Sequence, residues 1–249
     1  MKKALYTLIF TLVVTGVFIT ALAVLNQSTR SRVEQNQRRM VYQSILYAFN
    51  IFPDSVREED LPASSLTSDI PWQADEVFDS VSQRIRQVRI AIDFHSDSVD
   101  LYLLSAPDSQ ITAMGMFLKG EGLWGRIIAF AAVSADLQRM IGIDFIEQSE
   151  TPGLGARIQE LWFKRPFRRL DIQSLLQAGS PVTMVNRISA DDTLTVRPYF
   201  ESVTGATLTS KGILDMINLD LKRYLLYLSA NGYPVTLSPG RSNENQTHP

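Results

Sequence analysis

The sequence predicts an α+β protein: one N-terminal transmembrane helix followed by a single soluble domain, an antiparallel sheet packed with helices. Three observations predict it. Ala4 to Leu25 is a charge-free apolar run. Val99 to Ile146 holds short β-type runs spaced too closely for helical crossovers. Ile213 to Leu228 then repeats apolar residues with the period of a helix.

Composition narrows what the chain can do. A hydrophobic share of 45% and a charged share of 20% are those of a folded protein. The formal net charge of −2 gives no footprint for nucleic acid. With no cysteine, disulfides, thiolate metal sites, cysteine-ligated iron–sulfur clusters and thiol catalysis are excluded. Redox chemistry would therefore come from a cofactor held without sulfur. His95 and His248 are the only histidines, which makes a His-based metal site or haem improbable. We expect no metal site and no catalytic residue in this chain.

As a helix, Ala4–Leu25 would span about 33 Å, enough for a hydrocarbon core of about 30 Å. The rival is a cleaved signal peptide, with Lys2 and Lys3 ahead of the run and Ala21-Leu22-Ala23 as a cleavage site. The run exceeds a usual apolar region of about 7–15 residues and continues past Ala23, which favours a retained anchor. Charges do not orient it. Lys2 and Lys3 lie on one side, Arg30, Arg32, Arg38 and Arg39 on the other.

We divide the chain into a flank (1–3), the anchor (4–25), a stalk, loop and surface helix (26–97), the domain (98–230) and a mobile polar tail (231–249). Within the stalk, Met40, Val41, Ile45, Leu46 and Phe49 suit a helix that docks one face on the domain. Pro53, Pro62 and Pro71 mark Ile51–Pro71 as a loop. Gln73–Val88 reads as a short helix with Val77, Phe78, Val81 and Ile85 inward. Strands are expected at Val99–Leu104, Thr112–Leu118, Arg126–Val133 and Met140–Ile146, and again at Pro181–Val185 and Thr193–Arg197. Gln159–Phe167 reads as a helical turn rich in aromatics. Ile213–Leu228 closes the domain with Ile213, Met216, Ile217, Leu221, Tyr224, Leu225 and Leu228 on one face.

Three motifs have more than one reading. Gly120-Glu121-Gly122-Leu123-Trp124-Gly125 is either a Gly-rich hairpin with a buried Trp, or a turn whose glycines admit a flat ring beside Leu123 and Trp124. Its match to a dinucleotide fingerprint is weak, because no βαβ unit surrounds it. Glu150-Thr151-Pro152-Gly153-Leu154-Gly155 is either a rigid Pro-Gly turn or a backbone approach to a ring, with Thr151 as donor. Ser202–Ser210 places five hydroxyls, on Ser202, Thr204, Thr207, Thr209 and Ser210, around Gly205-Ala206 just ahead of the closing helix. A Ser/Thr cap explains one hydroxyl. A phosphate held by hydroxyls and the first helical amides explains the run.

In this order, behind one anchor, the three motifs resemble the NqrC family, the FMN-binding components of the Na⁺-translocating NADH:quinone reductases. They are similar, less closely, to the flavin-bearing G component of the Rnf electron-transport complex. The likeness covers the anchor and roughly Met116–Leu228. The resemblance implies FMN joined to Thr207 by a phosphoester, with Thr204, Gly205, Ala206 and Thr209 around the phosphate. It implies Gly122, Leu123, Trp124, Glu150, Thr151, Gly153 and Leu154 around the ring. The family's motif opens with Asp three residues before the first Thr; here Glu201 stands there, keeping the charge one methylene further out. The resemblance further implies an electron relay among other membrane subunits of a redox-driven ion pump passing electrons from NADH to ubiquinone. A separate Mg²⁺-dependent flavin transferase would mature it, and the domain would face the periplasm from the bacterial inner membrane. From the residues alone, a non-covalent ligand-binding module or a cofactor-free structural component stays open.

Overall fold

A computed structural model describes residues 2–72, 81–92, 98–177, 181–188 and 196–233. Met1–Val41 and Tyr42–Pro249 form two compact units. The first is all helix, part of α1 (Lys2–Ala48). It is long and apolar enough to cross a membrane, by length and composition. Its large apolar side chains, such as Leu12, Phe18 and Leu25, are exposed. The helix runs on past Leu25 without a break, through the stretch expected as a helical stalk. It ends where Asn50 turns left-handed (φ 60°) and the Ile51 amide reaches back to the Leu46 carbonyl at 2.9 Å.

The second unit is built on a five-stranded antiparallel meander in the order β1 (Ile85–Ala91), β2 (Ser98–Ser105), β3 (Ile111–Glu121), β4 (Arg126–Ser134) and β5 (Met140–Glu147). The four expected strands are β2 to β5. After β5 come the one-turn helix α2 (Leu161–Lys164) and 3₁₀ turns before and after it, through the aromatic-rich stretch read as a helical turn. A parallel pair follows, β6 (Thr183–Val185) with β7 (Tyr199–Glu201).

Three expectations are corrected here. Of the helix expected at Gln73–Val88, residues 73–80 lie outside the described residues, only Val81 and Ser82 are helical, and Ile85 opens β1. Val81, Ile85 and Val88 do recur at helical spacing, but Ile85–Ala91 pairs along its whole length with Ser98–Leu104, and that ladder overrides the local pattern. The sheet consequently starts before the domain boundary drawn at 98. Of the strand expected at Thr193–Arg197, residues 193–195 lie outside the described residues; Arg197 makes one bridge to Leu170, and the strand proper is Tyr199–Glu201. Third, the closing helix starts at Thr207, six residues ahead of Ile213. The expected tail beyond Tyr233 lies outside the described residues.

Strand alternation gives the sheet two buried faces. Leu101, Leu103, Met114, Met116, Leu118, Ile127, Ala129, Ala131 and Val133 meet the C-terminal helix in one core. That helix is α3 (Thr207–Asp215), a π-helical turn (Met216–Leu221) and α4 (Lys222–Ala230) in continuous succession. All seven residues of its expected inward face are buried. The opposite sheet face presents Tyr102, Phe117 and Phe130, which cluster edge-to-face, with Phe49 set against Phe130. Buried Lys164 pairs with Asp144 at 2.8 Å and donates to Thr67, tying the Thr67 turn to β5. Burial pushes the Lys164 ammonium below its ordinary value, and the Asp144 carboxylate pulls it back.

Glycine decides how close the C-terminal helix lies to β3. A Cβ on Gly120 would come within 2.9 Å of Met216 Cβ, and one on Gly212 would collide with the Glu121 carbonyl. The helix therefore rests its first turns on the end of β3, beside the β3–β4 loop. Gly212→Ala would gain about 1 kcal/mol in an isolated helix. Here it is expected to destabilise by about 2 kcal/mol through overpacking, read as a lower urea midpoint at unchanged slope.

Candidate functional site

The β3–β4 loop, the segment after β5 and the start of α3 converge on one carboxylate. Glu150 follows β5 and is 5% exposed. Its Oε1 accepts the Trp124 amide at 2.9 Å, and its Oε2 accepts the Thr209 hydroxyl at 2.5 Å. Its own amide donates to Gln148 Oε1 at 2.6 Å. Glycines let the loops close on it: a Cβ on Gly122 would strike Glu150, and one on Gly155 would lie 2.7 Å from both Glu150 Oε2 and Thr209 Oγ1. A buried carboxylate is expensive to desolvate unless its oxygens are satisfied, and two donors from separate segments do that here.

In the β3–β4 loop the Gly122 amide donates to the Gly125 carbonyl at 2.7 Å, closing the hairpin. Trp124 is not buried in it. It is 68% exposed, and Leu123 is exposed beside it. In the segment after β5, the Leu154 and Ala156 amides both donate to the Thr151 carbonyl at 3.1 Å, and Gly153 takes φ +75°. That left-handed turn leaves Thr151 and Leu154 on the surface.

The start of α3 has an unusual cap. The N-cap position is Ala206, with no side-chain hydrogen bond, so no Ser or Thr caps this helix. Gly205 takes φ +79° just before it, with Leu154 Cδ2 3.2 Å from where its Cβ would stand. With Ser202 half-buried, the other four hydroxyls divide into two groups. Thr209 (1% exposed) faces Glu150, while Ser210 accepts the Val203 amide at 2.9 Å and donates to the Ala206 carbonyl at 3.0 Å. Thr204 and Thr207 face solvent. Thr207 is the first helical residue, where amides have no intrahelical acceptor and the helix dipole favours negative charge. Lys211 stands one turn further on.

Apart from Glu201, every site residue expected from the sequence lies on these three segments, and their exposures differ. Glu150 and Thr209 point inward at each other, and Ala206 is buried, whereas Thr207 is exposed. Sequence reasoning missed Leu208, 58% exposed directly beside Thr207. Only the early helix start places it there. It also missed Gln148, whose role as acceptor for the Glu150 amide has no sequence signature. Glu201 lies in β7, where its Oε2 accepts the Ile188 amide at 3.1 Å. The arrangement is a solvent-facing hydroxyl on a helix N-terminus, among exposed Leu123, Trp124, Leu154 and Leu208 and braced from below.

Residues 122–222 match the FMN-binding domain family. The match begins at Gly122, within the first motif, and ends past the π-helical turn, so it takes in Gly122–Gly125 and the whole of the other two motifs. Among curated proteins, the chain is similar to the C component of the Na⁺-translocating NADH-quinone reductase of Yersinia pestis, 30% identical over 140 residues, 54% of this chain and 47% of that one. The same component in Haemophilus ducreyi is 34% identical over 116 residues, 46% and 42% of the two chains. The chain thus spans about half the length of the curated relatives it matches. Among solved structures, the C component from Parabacteroides distasonis superposes with a TM-score of 0.57 at 24% identity, over 80% of this chain and 96% of that one. NqrC of Shewanella oneidensis gives 0.58 at 16% identity, over 79% and 99%. At these identities the structural likeness is one of fold. The match of the FMN-binding segment supports FMN as its ligand, in line with the resemblance carried by the motifs.

Proposed function

We propose that this chain is a membrane-anchored electron carrier in which FMN is held by a phosphoester on Thr207. The observation that carries the reading is the placement of Thr207. It is a solvent-facing hydroxyl at the first position of a helix, in the FMN-binding segment, with both flanking motif loops clasped to the same helix through Glu150. The residues fit a tethered flavin phosphate. The amides of Thr207 and Leu208, with Gly205 in its left-handed turn and exposed Thr204, would face the phosphate. Leu123, Trp124, Leu154 and Leu208 supply exposed apolar surface that a flat ring would cover. Thr151 lies on the loop that would meet the ring's polar edge, while Thr209 and Glu150 hold the frame.

A threonine hydroxyl is a poor nucleophile at neutral pH and needs a base and a metal ion to attack a phosphoanhydride. We assign that step to a separate Mg²⁺-dependent transferase with FAD as donor. Thr207 Oγ1 bonds to the phosphorus of the FMN half, AMP leaves, and the hydroxyl proton goes to the transferase's base. Once tethered, FMN supplies one- and two-electron redox chemistry. The protein's part is to hold it at the surface, within reach of neighbouring subunits. The names of the relatives make a Na⁺-translocating NADH:quinone reductase the complex we infer, with ubiquinone as the final acceptor. The apolar helix would anchor the chain in the bacterial inner membrane, with the domain in the periplasm.

Co-expression with a flavin transferase, followed by intact mass and in-gel fluorescence after denaturation, tests the reading. The expected result is a gain of one FMN less water and a band that fluoresces. Yellow colour lost on denaturation would mean a non-covalent module, and a colourless protein a structural component; either result overturns the tether.

A further inference from the structure

A cavity of about 630 Å³ shares no lining residue with the Thr207 region. Five guanidinium groups line it: Arg57, Arg165, Arg168, Arg169 and Arg197. The lining carboxylates are Glu58 and Glu59, so three positive charges are in excess, in a chain whose formal net charge is −2. Such a local surplus is costly to assemble, and it sits where part of the surrounding medium is protein.

Even with Arg197 left out of the count, two positive charges remain in excess, and the contacts of Arg165 and Arg168 hold their groups in place without cancelling that excess. Glu58 is shared: its carboxylate accepts the Tyr47 hydroxyl at 2.6 Å and Arg168 Nε at 2.7 Å, and lies 3.9 Å from Arg165 Nε. Arg168 also donates to the Ile141 and Tyr47 carbonyls and lies over the Tyr47 ring at 4.6 Å. Arg165 donates to the Glu58 and Leu61 carbonyls. Carbonyls satisfy N–H groups but do not neutralise charge. Arg197 is 4% exposed in the wall. Arg57 and Arg169 are exposed at the rim, where their forked donors can close on a guest. Buried guanidinium charge inside and exposed guanidinium donors at the rim is an arrangement suited to a compact multivalent anion.

We infer that this cavity is an anion site that takes a phosphoryl group, on a soluble phosphate compound or on a lipid headgroup. The site stands independently of the flavin reading. The test uses the full chain in neutral detergent, with sodium pyrophosphate as the soluble probe and phosphatidylglycerol-doped micelles, against phosphatidylcholine-doped ones, as the lipid probe. Calorimetric titration and the thermal midpoint are read together, since a ligand that binds only the folded state raises that midpoint. Pyrophosphate is expected to bind and to raise the midpoint. Arg57→Ala and Arg169→Ala should each weaken binding by about tenfold, with ligand-free midpoints unchanged because both side chains are exposed. Arg126→Ala, at the start of β4 and outside the cavity, should bind as the parent does. A response confined to phosphatidylglycerol and lost in the two rim variants identifies a lipid source and keeps the site. No response to either probe at concentrations on the order of 10 mM, or equal responses in the parent and rim variants, overturns it.

Discussion

Thr207→Ala is expected to abolish covalent flavin altogether. Intact mass after co-expression with the transferase should show only the unmodified chain, and the denatured band should be dark. The effect is all-or-none because one oxygen is the proposed attachment atom; neighbouring hydroxyls do not replace it. Thr209 and Ser210 are buried and engaged with Glu150 and with the Val203 amide. Thr204 is exposed but lies across the left-handed Gly205 from the helix start. The fold should not notice the change. Thr207 is exposed at a first helical position and makes no capping bond there, and alanine is the best helix former, so stability should shift by less than about 0.5 kcal/mol. Thr207→Ser, which keeps the hydroxyl, is expected to remain modified. A mass increment that survives in Thr207→Ala would refute the assignment.

Glu150→Ala carries the largest expected loss of stability. It removes the acceptor for the buried Thr209 hydroxyl and for the Trp124 amide, and leaves a void where Gly122 and Gly155 had closed on the carboxylate. Two stranded donors and a small cavity should cost about 3 kcal/mol together. For a unit of this size that lowers the thermal midpoint by roughly 6–12 °C. Flavin attachment should fall with it, since the loop bearing Leu123 and Trp124 would no longer be held to the helix that bears Thr207. Glu150→Gln separates position from charge. Its carbonyl can accept the Trp124 amide while its NH₂ donates to Thr209 Oγ1. Gln is therefore expected to restore most of the stability and the modification. If Ala and Gln lose modification equally while Gln stays folded, Glu150 acts by its charge on the transferase step and not as a brace.

The strands legible in the sequence were those whose alternation meets two-sided burial. From Val99 to Ile146 the apolar runs and turn residues predict four strands, and β2 to β5 occupy those positions. The inward face of the closing helix was legible for the same reason: Ile213, Ile217, Leu221, Leu225 and Leu228 repeat every three or four residues. Ile85–Ala91 was misread because an edge strand with Arg86 and Arg89 outward keeps too few apolar positions to show a period of two. Its identity lies in its register with β2, a long-range property. The helix start was misplaced for a related reason. Thr207 to Gly212 has little apolar periodicity, and what holds that turn in place is the passage of Gly212 over the Glu121 carbonyl.

The hydroxyl-rich segment shows where the division falls. The order of the three motifs, the absence of cysteine and the apolar run are one-dimensional facts, and by themselves they determined the fold class and the resemblance to FMN-binding redox-pump components. Which hydroxyl faces outward is a three-dimensional one. Sequence spacing alone treats Thr204, Thr207, Thr209 and Ser210 as equivalent donors to a phosphate. Tertiary structure turns Thr209 and Ser210 inward, because Glu150 and the Val203 amide are buried polar groups that require partners. That requirement leaves Thr207 alone at the head of the helix, on its solvent side.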